Sequence, residues 1–403
     1  MITPSFGLTA TERVLPRMAL DFTTGVLDPR VTVARLLNTA TRVNSSGYIE
    51  TVNANLPRFD YSPVTLAAKG LLIEEARTNL QINSNLFNAW AKSNISVTID
   101  ATEVSPDGLN NANKIEYTAA PGSLTTNPSV ALSAGSHTAS VYAKKGNTDF
   151  IALRLRQPGV TDVAFVRFNL ATGAVASTIA GSGTITDVGG GWYRCTVTGT
   201  AAAANHVIII YPNNDSGTAA GQYVFCFGAQ LEAGAFATSY IPTTTTSLTR
   251  NNDIVSMTGA NFSDWYNASG GSFVFEGSAV RPFGFAYLVL ASDNTNTNRF
   301  GLYKSGNAVS GFVVSSGAAQ MEITGSPIVA NVPFKAAVAA QANSGNFSFN
   351  GSIGTNDTAI VMPTVNQLTI GSFQNLSPLN GHARAVRYYL PRLTNAELQA
   401  FST

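Results

Sequence analysis

The chain carries three histidines, His137, His206 and His382, and two cysteines, Cys195 and Cys226. A general base, a metal ligand or a reactive nucleophile would ordinarily come from so short a set. The spacings that such chemistry needs do not occur. There is no His-Glu-x-x-His, no Cys-x-x-Cys, no Gly-x-Ser-x-Gly elbow and no Gly-x-x-x-x-Gly-Lys-Ser/Thr phosphate loop. Hydrolysis of a glycosidic bond would need two carboxylates. The last third of the chain offers Asp264, Glu276, Asp293, Glu322, Asp357 and Glu397, no two of them close along one strand-like run. Two Asp/Asn-rich stretches, Asn213-Asn-Asp-Ser and Ser292-Asp-Asn-Thr-Asn-Thr-Asn, hold oxygen ligands of the kind calcium takes. Ordinary turn-forming Asn/Asp chemistry is the favoured reading of both. The expectation is a non-enzymatic chain with no catalytic residues, no metal and no cofactor.

Recognition remains. Aromatic rings offer apolar faces to sugar rings, while Asn, Gln, Asp and Arg hydrogen-bond the hydroxyls. The obvious aromatics are Trp90, Trp192, Trp265, Tyr211, Tyr287 and Tyr303. Trp192 lies inside a strand-like run, which favours packing. Trp90 and Trp265 each sit near the start of a sandwich, where packing is also the commoner role. Trp265, Tyr287 and Tyr303 are the glycan-binding candidates.

These residues are carried by a chain of 403 residues that is 44% hydrophobic and only 12% charged, with net charge +1. Soluble domains usually run at about 25% charged. The balance argues against a nucleic-acid binder, which needs clustered Lys and Arg, and against a polybasic membrane-surface protein. Thr, Ser, Asn, Gly and Ala replace the missing charge. The sequence opens without a basic-then-apolar leader, and no run of about 18 apolar residues is present, so no membrane insertion is expected. Two cysteines in strand-like runs read as buried reduced thiols, which points to cytoplasmic synthesis.

Three regions follow from the pattern. Residues 1–78 are irregular and comparatively charged, interrupted by Pro16, Pro29, Pro57 and Pro63. They read as an extended arm, with one helix-capable stretch at Leu71-Leu-Ile-Glu-Glu-Ala-Arg. Residues 79–242 alternate apolar and polar in short runs, such as His137-Thr-Ala-Ser-Val-Tyr-Ala-Lys and Trp192-Tyr-Arg-Cys-Thr-Val-Thr, each closed by Gly, Pro, Asn or Asp. That is the pattern of a β-sandwich. A hydroxyl-rich linker at 243–250 leads to residues 251–403, again strand after strand. These end in a capping box, Thr394-Asn-Ala-Glu397, that starts one short helix. The expected fold class is all-β: an N-terminal extended arm, two antiparallel β-sandwich (jelly-roll) domains and a short C-terminal helix.

Several strings resemble bacteriophage and prophage virion proteins of the head-spike, head-fibre and tail-fibre kind. They are Ala19-Leu-Asp-Phe through Val26-Leu-Asp-Pro-Arg-Val-Thr, Tyr48-Ile-Glu-Thr-Val-Asn-Ala-Asn-Leu-Pro-Arg-Phe-Asp-Tyr, Gly70-Leu-Leu-Ile-Glu-Glu-Ala-Arg-Thr-Asn-Leu, Ser84-Asn-Leu-Phe-Asn-Ala-Trp, Gly191-Trp-Tyr-Arg-Cys, Gly228-Ala-Gln-Leu-Glu-Ala-Gly-Ala-Phe-Ala-Thr-Ser-Tyr-Ile-Pro-Thr and Gly381-His-Ala-Arg-Ala-Val-Arg-Tyr-Tyr-Leu-Pro-Arg-Leu-Thr-Asn-Ala-Glu-Leu. Within that resemblance the middle region looks like a carbohydrate-binding-module jelly roll and the last like a concanavalin A or laminin-G sandwich. The resemblance implies a homotrimeric projection on the virion surface, anchored by its arm to capsid or tail proteins and adhering to host surface polysaccharide. Asp21, Arg30, Arg58 and Tyr61 are the arm residues it offers for virion anchoring. A decoration protein without receptor duty and a polysaccharide depolymerase are the rival expectations.

Overall fold

The computed structural model describes residues 14–36, 40–119, 121–213, 219–281, 283–374 and 376–403. Contacts divide the chain into two units. The middle unit holds Val33–Ile254 with Thr23–Gly25. The C-terminal unit holds Val255–Thr403 with Val26–Thr32 and the described residues before Thr23.

In the middle unit, two antiparallel sheets enclose one core. The six-stranded sheet runs Ser182–Asp187, Trp192–Ala201, Gly135–Lys145, Tyr223–Ala233, Ala112–Tyr117, Ile95–Asp100. The seven-stranded sheet runs Ala174–Ala180, Thr161–Asn169, Phe150–Gln157, Ala204–Pro212, Ser123–Thr125, Ala91–Ser93, with Val130–Leu132 also pairing Ala204–Pro212. Alternate positions meet between the sheets: Val141, Leu153, Leu155, Val166, Phe168, Val197, Ile208 and Ile210 are all buried there, with both cysteines. This is the period-2 pattern that a half-buried strand requires.

The outer face of the six-stranded sheet is covered as well. Tyr142, Trp192, Phe225 and Phe227 form a second buried cluster with Tyr240. Gly135–Lys145 is therefore buried on both faces through its middle. Trp192 donates from Nε1 to the Val104 carbonyl at 2.9 Å, a core role.

The segment read as an arm is divided between the units. Met18–Asp21 pairs antiparallel with Gly381–Tyr389 in the C-terminal unit. In the middle unit Ala40–Val43 and Ile49–Val52 form a hairpin. The run expected to be helical, Leu71 to Arg77, is instead extended, with a strand at Ala68–Ile73. Gly70 through Glu74 is buried throughout, and the extended backbone delivers the Glu74 carboxylate to Arg58 and Arg250. Tertiary burial overrides the helix-forming composition of that run. The hydroxyl-rich run before Arg250 also pairs, Leu248–Arg250 lying antiparallel to Arg77–Asn79.

The C-terminal unit is a second sandwich. One sheet orders Ser352–Ile353, Ser344–Phe349, Phe334–Gln341, Gly270–Ala279, Gly381–Tyr389. The other orders Ile254–Thr258, Gln367–Ile370, Ala286–Ser292, Arg299–Ser305, Ala308–Ser315, Ala318–Pro327. Phe273 of the first meets Phe300 of the second at 5.2 Å between ring centroids. At Gly311 the sheets approach so closely that a Cβ would lie 2.7 Å from the Phe347 ring. The helix Asn395–Phe401 starts at the Thr394–Glu397 capping box. It buries Leu398 and stacks Phe401 on Tyr389, at the end of the last strand, at 4.9 Å. The fold class expected from the pattern, antiparallel all-β with a short C-terminal helix, is the one observed.

Candidate functional site

The outer face of the second sheet in the C-terminal unit gathers aromatic and hydrogen-bonding groups. Tyr287 and Tyr303 are register partners on neighbouring strands. A bulge after Tyr287 shifts the register there, a device that re-aims side chains at sheet surfaces. Phe285 stacks on Tyr303 with centroids 5.1 Å apart and planes 27° apart, and meets Tyr287 edge-on at 5.0 Å. Phe312 packs edge-on against Tyr303 at 5.0 Å, and Phe373 against Tyr287 at 5.3 Å. Tyr287, Phe312 and Phe373 are buried by these neighbours; Phe285 remains 45% exposed and Tyr303 half-buried.

Polar groups thread this aromatic surface. Arg299 donates from Nη1 to the Tyr287 hydroxyl at 2.6 Å, and its guanidinium lies 5.7 Å from the Phe312 ring centroid. The Tyr303 hydroxyl donates to Glu322. Burial, with that carboxylate beside it, pushes the Tyr303 hydroxyl up to about 12. Ser310 and Thr324 pair through their hydroxyls at 2.8 Å one row along. Gly301, opposite Phe312, can carry no side chain: a Cβ would fall 2.1 Å from the Val289 carbonyl oxygen. Lys304 secures the loop that leads into Phe285, donating at 2.9 Å to the carbonyls of Phe283 and Gly284. Burial pushes its ammonium down to about 8, with Arg281 adding to the fall.

The result is a face with apolar rings, guanidinium donors, a carboxylate acceptor and hydroxyls within one side-chain layer. It suits a ligand that is itself apolar on one side and hydroxylated at its edges. Glu322 is the one carboxylate among the residues named on this face.

Of the glycan-binding candidates, the structure brings Tyr287 and Tyr303 together and places Trp265 elsewhere. Trp265 is 2% exposed. Its Nε1 donates to the Asn261 carbonyl at 2.8 Å, and its ring packs against Phe262, Tyr388 and Phe273. An indole satisfied and enclosed in this way is core, which corrects the expectation for Trp265.

The arm candidates are also dispersed. Asp21 ends the strand Met18–Asp21 opposite Ala385. Arg30 grips Asp28 through two hydrogen bonds of 2.9 and 2.7 Å and stays partly exposed. Tyr61 is half-buried. Arg58 has no exposed side-chain surface and is ion-paired with Glu74 and Asp253. A guanidinium enclosed by its own chain cannot dock on another protein, so Arg58 leaves the anchoring set.

The remaining chemical candidates are structural. All three histidines are buried, and Nδ1 of His137 and of His206 faces the Gly135 and Ala204 carbonyls at 3.1 and 2.9 Å. Asp293 spends its carboxylate inside its own loop on Thr295 and Asn298. Asn214, Asp215 and Ser216 of the other Asp/Asn-rich stretch lie outside the described residues. No cluster of three potential metal ligands occurs among the described residues.

Sequence reading missed Phe285, Arg299, Phe312 and Glu322. The usable signal was alternation, since Phe285 and Tyr287, like Arg299 and Tyr303, stand at even spacings and share a face.

No family model matches the chain, and no curated protein matches it. Solved structures similar to part of it include the CBM40 of the Ruminococcus gnavus IT-sialidase bound to α2,3-sialyllactose, with 16% identity over 34% of this chain and 84% of that chain and a TM-score of 0.30. Domain 4 of AbnA, a GH43 extracellular arabinanase from Geobacillus stearothermophilus, in complex with arabinotriose, shows 11% identity over 42% and 84% of the two chains, with a TM-score of 0.31. Domains LG4-5 of the mouse laminin α1 chain show 10% identity over 66% and 87%, with a TM-score of 0.25.

Proposed function

We propose that this protein is a bacteriophage virion spike or fibre protein that adheres to host surface glycans through the outer sheet face of its C-terminal sandwich. The observation that carries the glycan reading is the Phe285–Tyr287–Tyr303 platform, with Arg299 and Glu322 hydrogen-bonded to its hydroxyls. The sparse charge and abundant Ser, Thr and Asn support it, since they suit a surface that meets hydroxylated polymers. The virion reading rests on the strings that resemble phage spike and fibre proteins. With it come the virion surface as location, capsid or tail proteins as anchoring partners and a homotrimer as the assembled form. The function is binding without turnover.

The test is a panel of host-surface polysaccharides presented to the full chain and to a Tyr303→Ala variant of unchanged thermal stability. Binding that the variant loses supports the reading. No binding to any polysaccharide, with the protein located on intact particles, would reassign it to structural decoration. New reducing ends appearing in the polysaccharide would reassign it to a depolymerase.

A further inference from the structure

The middle unit holds a cleft of about 400 Å³, walled by turns that are far apart in sequence. That volume lies within the range of small-molecule sites, roughly 300–1,000 Å³. Trp192 and Lys144, register partners in the six-stranded sheet, both line it. Its walls are hydrogen-bonded to one another. The Ile49 amide donates to the Pro106 carbonyl at 2.8 Å, which ties the hairpin of Ala40–Val43 and Ile49–Val52 to the turn at 102–106. Trp192 Nε1 donates to Val104 on that same turn. Gly189 sits so near a further wall that a Cβ there would lie 2.5 Å from the Pro63 carbonyl oxygen. A cleft held in this way costs a ligand little ordering.

An accessible ring and a neutral ion pair line this space. The Tyr48 residue is 41% exposed. Gly108 lies against its ring, where a Cβ would fall 3.1 Å from Tyr48 Cγ, so the ring is braced there and open elsewhere. Lys144 Nζ pairs with Glu103 Oε1 at 2.7 Å, their side chains 28% and 19% exposed. These two are the charged residues among those that line the cleft, and their charges cancel. Two acids close by in sequence are spent on their own turns. Asp107 accepts from the Ser105 hydroxyl and the Leu109 amide at 2.9 and 3.1 Å, and Asp187 from the Gly189 amide at 2.8 Å. Gly190 keeps the space open. Its φ is +61°, and a Cβ there would meet the Trp192 ring at 3.8 Å and nothing nearer.

We infer that this cleft is a second binding site, for a neutral sugar at the end of a glycan chain. Its ring lies on Tyr48, and its hydroxyls bond Lys144 and Glu103. A sugar hydroxyl both donates and accepts. An ammonium and a carboxylate side by side therefore serve two neighbouring hydroxyls, through hydrogen bonds strengthened by charge. An anionic ligand would have to draw Lys144 from Glu103 and strand the carboxylate, so the pair selects for neutrality. Walls on several sides also give the cleft a means to tell epimers apart, which an open sheet face lacks. The site shares no residue with the Tyr303 platform and stands or falls without it.

The experiment titrates the full chain, by saturation-transfer NMR and calorimetry, with the methyl glycosides of glucose, galactose, mannose, N-acetylglucosamine and N-acetylgalactosamine. Methyl galacturonide is the charged comparison. Every titration is repeated on a Tyr303→Ala chain, so that the C-terminal face does not contribute. At least one neutral glycoside binds in both chains, and its epimer in the panel binds more weakly. Tyr48→Ala weakens that binding about tenfold, the size of a lost ring contact. Tyr48→Phe keeps the ring and most of the affinity. Gly190→Asn tolerates the left-handed backbone and puts a side chain into the cleft, and it abolishes binding. The inference is overturned if no neutral glycoside binds up to about 10 mM, or if the galacturonide binds more tightly than the galactoside. It is also overturned if Tyr48→Ala and Gly190→Asn both retain binding while their thermal melts match the parent.

Discussion

Arg58 donates from Nη1 to Glu74 Oε2 at 2.7 Å, between side chains that are 0% and 5% exposed. The same guanidinium pairs through Nη2 with Asp253, which also accepts from Arg35 Nη1 at 2.9 Å. Glu74 in turn lies 2.9 Å from Arg250 Nη1 and accepts from the Ser239 amide and hydroxyl at 2.8 and 2.7 Å. One charge network thus joins residues 35, 58 and 74 to residues 239, 250 and 253 inside the middle unit. Removing one partner from such a buried group strands the other charges. Arg58→Ala is expected to cost about 3–5 kcal/mol in chemical unfolding. Arg58→Lys is expected to fail as a rescue, because a single ammonium cannot serve two carboxylates at once.

Acid should act through the same network. Burial alone would raise the Glu74 carboxyl, but Arg250 and Arg58 beside it, with the Ser239 bonds, hold it well below the usual carboxylate range. A carboxyl depressed in the folded state binds fewer protons there than in the unfolded chain. Its stabilisation is therefore present above the unfolded value, about 4.3, and drains away as pH falls below it. Thermal unfolding followed between pH 7 and pH 3 should show a falling Tm, with the slope steepening below about pH 5. A Glu74→Gln variant should start lower and show a shallower acid slope.

The two thiols should be silent in the native protein. Cys195 and Cys226 lie in the sandwich core on strands that flank Gly135–Lys145. Burial pushes both thiols up, away from the reactive thiolate form. A colorimetric thiol reagent should label neither at neutral pH over the time in which it titrates both in denaturant. Rapid labelling of the native chain would contradict this packing.

The strands were legible because their chemistry is local. Runs such as Phe150-Ile-Ala-Leu-Arg-Leu-Arg and Trp192-Tyr-Arg-Cys-Thr-Val alternate as a sheet demands, and Thr394 and Glu397 announce the last helix by a four-residue rule. What local pattern cannot show is which distant residues share a layer. Leu71 to Arg77 has helix-favouring composition, yet it is extended, with Glu74 committed to arginines 16 residues before it and 176 after it. Arg58 reads as a surface cation until its partners 195 and 16 residues away are known. Trp265 and Tyr303 are both aromatic and both near turns; only the assembled sheets put one inside and the other on a face.

That last contrast separates stability from recognition. Trp265→Ala removes a buried ring packed against Phe262, Phe273 and Tyr388. It should destabilise the chain by about 3–5 kcal/mol. Tyr303→Ala removes a half-buried ring at the sheet surface. It should lower Tm far less and abolish polysaccharide retention. Tyr303→Phe keeps the stack on Phe285 but deletes the hydroxyl that engages Glu322. It should retain part of the affinity, because ring contact survives while the polar edge is lost. Affinity electrophoresis in polysaccharide-loaded gels, paired with a thermal melt of each variant, reads both quantities. Equal loss of retention and stability in Trp265→Ala and Tyr303→Ala would mean that the Tyr303 face acts only through the fold.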